Sequence, residues 1–301
     1  MGRCVNPVAG EENITMMHQL DHADFGKVRS LFDQLAEIHF YVRAVLSGDY
    51  TGTLHVDDPN SPRTALMEAS GEFFLVGRPD NAAFNRAMNQ YFNEKWFKDE
   101  GSDENNHLYF STLAEWETVL EALFSPRRPV IMPRLRYSCI ELDYTDWRDH
   151  IPDGYSLQAI NGDSFDTLAD NIQQQVKKWA RNWTSFDRFL ERGLGMCMLH
   201  DGEIVSRSST NCISSNVCEI GIITDPAHRR RGLAAITVAA MVEAALSHEY
   251  KLVGWQCSPD NLGSWKTAER VGFVKECDYV EYYIYCHRVD DEVIARAKIN
   301  G

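Results

Sequence analysis

The chain has 301 residues and a mass of 34.4 kDa, which exceeds the usual size of one domain, and its 44% hydrophobic content can form a large core. Its 44 acidic residues outnumber 30 basic ones and give a net charge of −14, which disfavours nonspecific binding to nucleic acid or anionic membranes and favours a cationic partner. The eight cysteines include no C-x-x-C pair, so neither a zinc site nor a disulfide framework is expected.

The sequence shows neither a targeting segment nor a membrane span. Residues 1–10 lack the basic stretch followed by an apolar stretch that marks a signal peptide. No apolar run approaches the roughly 18 residues needed to cross a bilayer. We therefore expect a soluble, cytoplasmic protein whose cysteines are reduced core residues.

The first half of the chain alternates helical and extended patterns. Apolar residues from about Phe25 to Leu46 recur at helical spacing and predict one helix. Thr112 and Glu115 fit a capping box and predict the start of another. The other predicted elements of this half are strands at 51–56, 72–76 and 134–142, a helix that Asp80 or Asn81 caps, and a loop at 98–107.

The second half predicts a mixed α/β sheet. Asp201 and Gly202 are a hairpin signal. Proline and glycine between Trp147 and Gly154 place a domain boundary near residue 150, so we expect domains at 1–150 and 151–301. The predicted elements are a strand from 155, a helix at 165–179, strands at 195–200, 203–211 and 217–224, a helix ending near 248, a strand at 252–257, a helix at 262–271 and a strand at 279–285.

The segment 219–234 predicts a strand, a tight arginine- and glycine-bearing turn and a helix start. Such a turn suits an anion, because free N–H groups in the first turn of a helix and the positive end of its dipole can hold a pyrophosphate. Gly232 permits a close approach of the backbone, and Ala234 leaves room for phosphates. The alternative interpretation of three consecutive arginines is a solvated or nucleic-acid-binding patch. The acidic balance and the Gly-x-Ala context argue against it.

Two motifs in this half resemble those of the GNAT superfamily of N-acyltransferases. Arg229-x-x-Gly232-x-Ala234 is similar to its coenzyme A signature, and Asn261-x-x-Ser264, followed by Gly272-Phe273, is similar to its second helix motif. The two occur in the family's order, separated by one helix and one strand. The resemblance implies a splayed mixed sheet and acetyl-CoA as the acyl donor.

The resemblance also implies which residues contact the cofactor. The strand before the turn would pair with the pantetheine, the turn would hold the pyrophosphate, and Asn261, with Ser264 of the same motif, would lie near the thioester. The implied cofactor-binding residues are Ile222, Ile223, Thr224, Arg229, Arg230, Arg231, Gly232, Leu233, Ala234, Ala235, Asn261 and Ser264.

Acetyl transfer to an amine needs a general base, stabilisation of an oxyanion and protonation of the thiolate. Glu219, ten residues before Arg229, lies where several GNAT enzymes keep a base, and an acid in an apolar strand is costly without a role. The alternative is that Glu219 points outward or pairs with an arginine while a water chain carries the proton. A backbone N–H near Ile222 would meet the oxyanion.

The tyrosine that usually protonates the thiolate in the family falls at Ala268 in this chain. A bound water is one alternative for this role. The side chains that could replace the tyrosine are Ser264, Cys257, Tyr282 and Tyr283.

The rest of the chain is more loosely similar to a two-domain bacterial GNAT subgroup that includes zwittermicin-resistance acetyltransferases. The shared features lie at 52–59, 71–77 and 255–261. Two interpretations of the N-terminal half stay open, namely an α/β domain of unknown role and a degenerate GNAT-like half without the phosphate loop. Trp179, Trp183 and Phe186 lie where many family members place substrate-binding helices, although core packing explains them as well.

These observations predict direct transfer of an acetyl group from acetyl-CoA to a primary amine of a small, cationic molecule, without a metal. Two alternatives stay open: a non-catalytic acyl-CoA-binding or sensing module, and a transferase of longer acyl groups. The sequence does not decide between a monomer and a homodimer.

Overall fold

The computed structural model describes residues 17–97, 107–125, 127 and 129–286. Their strands form one mixed sheet, with helices on both faces. The strands are β1 (His18–Gln19), β2 (Thr53–Val56), β3 (Thr64–Ala69), β4 (Glu72–Gly77), β5 (His107–Thr112), β6 (Val130–Cys139), β7 (Tyr155–Ile160), β8 (Gly195–His200), β9 (Glu203–Ser214), β10 (Val217–Thr224), β11 (Leu252–Cys257) and β12 (Val274–Tyr285). The α-helices are α1 (Asp33–Ile38), α2 (Phe40–Ser47), α3 (Ala82–Lys95), α4 (Glu117–Phe124), α5 (Gly162–Phe165), α6 (Asp170–Trp179), α7 (Phe186–Arg192), α8 (Leu233–Ser247) and α9 (Leu262–Val271).

The strand order repeats the same topology twice. The order is β1-β2-β3-β4-β5-β12-β6-β11-β10-β9-β8-β7. Each of the strands β1–β6 has a counterpart six numbers later, and when every strand is exchanged for its counterpart the same order is obtained, read from the opposite edge of the sheet. The pair β4–β5 is parallel, as is its counterpart β10–β11. The N-terminal half therefore has the strand order of the C-terminal half, as the GNAT-like interpretation of that half requires.

The two halves exchange their last strands. β6 belongs to the first half of the sequence but is hydrogen-bonded between β11 and β12, and β12 in turn lies between β5 and β6. The sheet is therefore continuous across residue 150. The division of the chain into domains at 1–150 and 151–301 stays a prediction.

The first predicted helix is wrong in its extent. Instead of one helix from Phe25 to Leu46, the chain forms a 3-10 helix at His22–Leu31, then α1 and α2. The break between α1 and α2 is at His39, whose backbone is extended (φ −105°, ψ 116°). That turn buries the imidazole against Phe74 and Tyr279.

Two other features of the first half also differ from the prediction. β3 was not predicted, because its sequence of Thr, Ala, Leu, Met, Glu and Ala is rich in helix-forming residues. The capping box at Thr112 and Glu115 is also wrong. Thr112 ends β5, and its hydroxyl donates a hydrogen bond to the Leu75 carbonyl (2.6 Å).

The predicted cap of α3 is confirmed, since the Asn81 side chain accepts a hydrogen bond from Phe84 N. The predicted loop at 98–107 lies outside the described residues except for His107.

The second half follows the prediction closely. Four elements have the predicted bounds: β8, β10, β11 and α9. Asp201 and Gly202 form the β8–β9 turn with left-handed φ angles of 51° and 79°. The predicted helix at 165–179 divides into α5 and α6. None of the helices in the described residues is long and apolar enough to cross a membrane.

The central helix of this half is α8, which is buried nearly all round. It packs between strands β8–β11 and α9 and belongs to the larger of the core clusters. Its N-terminus is thereby held rigidly beside the end of β10. This placement fixes the geometry of the turn between the two elements.

Candidate active site

Strands β10 and β11 separate partway along their length. They pair in parallel only where Val217–Glu219 lie opposite Leu252–Gly254, and a bulge follows between Glu219 and Ile220. Beyond it β10 stays paired with β9, and β11 with β6. The gap, which we call the splay cavity, has a volume of about 570 Å³ and lies between Ile220–Ile222 and Trp255–Ser258. The splayed central sheet predicted from the sequence is therefore present.

The turn between β10 and α8 has the backbone form of an anion site. Gly232 is the N-cap of α8 and has a φ of 79°, and Arg230 also lies in the left-handed region at 61°. The N–H groups at the start of α8 have no acceptor within the helix. A Cβ at Gly232 would meet no atom within 4 Å, so the space above the turn is open. The Arg229 side chain donates a hydrogen bond to the Thr224 carbonyl (3.1 Å), which braces the turn.

A second cavity of about 640 Å³, the phosphate cavity, opens over this turn. All the residues predicted to bind the cofactor line it except Arg231, which is exposed and is not part of its wall. Lys266 and Arg270 of α9 were not predicted and add positive charge on the opposite wall. Their spacing of four residues on one helix was the signal that could have identified them.

Asn261 and Ser264 line both the splay cavity and the phosphate cavity. Asn261 is the N-cap of α9, and its side-chain oxygen accepts a hydrogen bond from Ser264 N (3.1 Å). The Ser264 hydroxyl oxygen accepts a hydrogen bond from Trp255 Nε1 (3.0 Å). These bonds fix both side chains where the two cavities join.

Glu219 lies in the wall of the splay cavity and is only 5% exposed. Burial raises the pKa of this carboxyl to about 7, against the opposing effects of Arg134 and of a hydrogen bond from Asn211. Its Oε2 has no hydrogen-bond partner among the described residues. A carboxylate that is half protonated near neutral pH and has a free oxygen can accept a proton from a substrate.

A buried polar cluster lies behind Glu219, where the two halves of the sheet meet. His39, Glu72 and Glu281 place potential ligand atoms within 4.8 Å of one another. Arg134 lies 3.3 Å from the Glu281 carboxylate. Burial and the neighbouring Glu281 raise the pKa of Glu72, and burial lowers that of His39 to about 3. Burial also raises the pKa of Glu281, against the attraction of Arg134. Burial therefore acts against the charged form of all three side chains, while Arg134 favours the charged form of Glu281.

Comparison with known proteins agrees with this geometry. The sequence model of the GNAT acetyltransferase family matches residues 29–282. The chain belongs to the GNAT acetyltransferase family. The uncharacterized N-acetyltransferase YdfB of Bacillus subtilis is 20% identical over 273 residues, which are 90% of this chain and 99% of YdfB.

Solved structures show the same GNAT fold over nearly the whole chain. A GCN5-related N-acetyltransferase-like protein from Streptococcus suis has a TM-score of 0.62 at 22% identity and covers 87% of this chain and 98% of its own. A tandem GNAT protein from the clavulanic acid biosynthesis pathway has a TM-score of 0.54 at 14% identity and covers 91% and 100%. The match to a tandem protein agrees with the repeated strand order. This protein is therefore an acyltransferase with a GNAT fold.

Ala268, at the position of the usual GNAT acid, is fully buried and has no proton to give. Of the four side chains considered in its place, Ser264 and Cys257 line the splay cavity. Burial raises the pKa of the Cys257 thiol, so it is protonated at neutral pH. The two tyrosines lie elsewhere, since Tyr282 packs in the second core cluster and Tyr283 stacks on His107.

Further along β10 a third cavity of about 750 Å³ lies between the sheet and α6, and we call it the α6 cavity. Trp179, one of three aromatic residues considered for substrate binding, lines it. The other two belong to the core: Trp183 is 3% exposed, and Phe186 packs against Phe165. Asn211 lines both the α6 and the splay cavity. Sequence reasoning missed Asn211 and Arg134 because they lie on strands without any motif.

Proposed function

We propose that this protein transfers an acetyl group from acetyl-CoA to a primary amine of a small molecule by direct attack. The observation that carries the proposal is the position of Glu219, a buried carboxyl with a pKa of about 7, in a cavity that joins an open helix N-terminus through Ile222, Asn261 and Ser264. A donor that bridges the two cavities would place its thioester near this carboxyl.

The residues present fit coenzyme A. Free N–H groups at the start of α8 and the cations Arg229, Arg230, Lys266 and Arg270 suit its phosphates. Asp225 N donates to Val205 O of β9, so by the alternation along a strand the backbone groups of Ile222 and Thr224 face the gap, where they can pair with the pantetheine amides. When bound, the donor supplies an activated acetyl group.

In the proposed reaction Glu219 takes a proton from the acceptor ammonium. The free amine attacks the thioester carbonyl, a C–N bond forms, and a backbone N–H near Ile222 stabilises the oxyanion. The C–S bond then breaks, and the thiolate receives a proton from Ser264, Cys257 or a bound water. The nitrogen loses its second proton as the amide forms, and this proton restores the donor. The net products are the acetamide, free coenzyme A and the proton that Glu219 releases to solvent. A cationic acceptor suits the chain's charge of −14.

The test is a panel of primary amines with acetyl-CoA, followed by thiol release across pH 5.5–9. We expect kcat/KM to rise with pH up to about 7 and then level off, because only the Glu219 carboxylate accepts a proton. Glu219→Gln should lower kcat/KM by about 100-fold or more and remove the pH dependence. Unchanged turnover by this variant would contradict the role of Glu219.

The second candidate function is an acyl-CoA sensor, which the buried Ala268 favours because the usual acid is missing. Coenzyme A binding without turnover of any amine would support the sensor over the enzyme. Thermal shifts with acetyl-, propionyl- and long-chain acyl-CoA would separate acetyl transfer from transfer of longer groups, because stabilisation grows with affinity.

A further inference from the structure

The α6 cavity adjoins the proposed reaction centre. It shares Asn211, Gly221 and Ile222 with the splay cavity that holds Glu219. Gly221 leaves room for the Asn211 side chain between the two cavities, because a Cβ at position 221 would lie 3.0 Å from the Asn211 amide. We infer that an acceptor whose amine faces Glu219 extends past these shared residues into the α6 cavity.

The charge of the α6 cavity is opposite to that of the chain. Lys178, Arg181 and Arg207 line it, and its wall includes no acidic residue. None of the three takes part in an ion pair within the described part of the chain. The chain has a net charge of −14, so a cavity with three cations and no counterion differs in charge from the rest of the molecule.

Arg207 is the inner member of this set. Its guanidinium carbon lies over the Trp179 ring, 4.4 Å from the ring centre, in a cation–π contact. The side chain is half-buried, and burial lowers its pKa. Partial burial of a cation without an anion costs free energy. A bound anion would offset that cost.

We propose that the acceptor is an amine that also carries a carboxylate or phosphate group, which Arg207, Lys178 and Arg181 bind while the amine faces Glu219. This inference rests on the proposed function and narrows its substrate class to amino acids and amino phosphates. The chemical step is unchanged, so the product is the N-acetylated acid. The favoured acceptor is thus cationic only at its amine.

Matched substrates test the proposal on the full-length protein. Each amino acid is compared with its primary amide, and phosphoethanolamine with ethanolamine, by thiol release at fixed pH. We expect the acid of each preferred pair to have a kcat/KM at least about tenfold above the partner that lacks the anionic group, since a hydrogen-bonded ion pair discriminates by that order. The two series separate carboxylate from phosphate. Amides and ethanolamine that react as well as the acids would overturn the inference but leave the amine acetyltransferase intact.

Substitutions in the wall of the α6 cavity test which residues cause the preference for the acid. Arg207→Gln should remove the preference for the acid, mainly through KM, while coenzyme A binding is unchanged. Lys178→Gln should reduce it and, being at an exposed position, is expected to fold. Lys177→Gln is the matched control, since this exposed neighbour on α6 does not line the cavity. An equal loss in Lys177→Gln and Lys178→Gln, or a full preference in both cavity variants, would refute the assignment.

Discussion

Burial of Glu219 has a cost that depends on pH. Below pH 4.5 the carboxyl is protonated in both folded and unfolded chains, whereas between pH 4.5 and about 7 the folded chain alone holds the proton. The folded state therefore binds the extra proton in this window, and the free energy of unfolding falls as pH rises through it. The rise in the pKa of Glu219 from 4.5 to about 7 corresponds to about 3 kcal/mol in the free energy of unfolding. This contribution is present below pH 4.5 and is lost completely above pH 7.

We therefore expect Glu219→Gln to gain stability relative to the unmodified protein as pH rises. The difference in free energy of unfolding between the two should grow by up to about 3 kcal/mol between pH 4.5 and pH 8, because glutamine does not ionise. Urea titrations at the two pH values measure it. Glu203→Gln, at an exposed position of β9, is the control and should show no such trend. A difference that is the same at both pH values would contradict the burial argument.

At the scale of single residues, the sequence predicts those site residues that belong to motifs. Glu219 is predicted from its position ten residues before Arg229, and Gly232 from the signature around it. Arg134 and Asn211 affect the pKa of Glu219 as strongly as any neighbour, yet they come from β6 and β9. No local pattern links those strands to β10, so their approach could not be predicted.

Among the elements, the junction of β10 with α8 is the proposed site of donor binding. Its left-handed Gly232 and the free N–H groups of the first helical turn have the backbone form of an anion site. The bounds of β10, β11 and α9 followed from the sequence because strong apolar runs, Asn261 as a cap and Gly272 as a stop signal agree with one another. The sequence did not predict β3, because the residues of β3 favour a helix and only pairing with β2 and β4 makes this segment a strand.

Gly232→Asp should reduce affinity for coenzyme A at least about tenfold while the protein stays folded. The new carboxylate would face the pyrophosphate, and a Cβ would enter the open space above the turn. Calorimetry with coenzyme A measures the loss. Gly202→Asp is a close control, since Gly202 has the same φ of 79° and equally open surroundings but lies at the β8–β9 turn. Equal affinity in both variants would refute the phosphate site.

For the whole molecule, the exchange of β6 and β12 is the feature that sequence reasoning could not reach. The boundary near residue 150 was predicted from Pro152 and Gly154, which are local signals of a turn. Strand order depends instead on pairing between residues more than a hundred positions apart, such as Cys139 with Val253. Composition and periodicity carry no information about such partners.

This exchange predicts that neither half folds alone. A fragment of residues 151–301 lacks β6, so β11 would keep only its short pairing with β10 and β12 would lose both neighbours. We expect each fragment alone to show no cooperative thermal unfolding. Fragments 1–150 and 151–301 expressed together should copurify as one complex that binds coenzyme A, because the cut lies in a connection between sheet strands. Cooperative unfolding of the isolated 151–301 fragment, monitored by circular dichroism, together with coenzyme A binding, would show that the C-terminal half is an independent domain and that the shared sheet is dispensable.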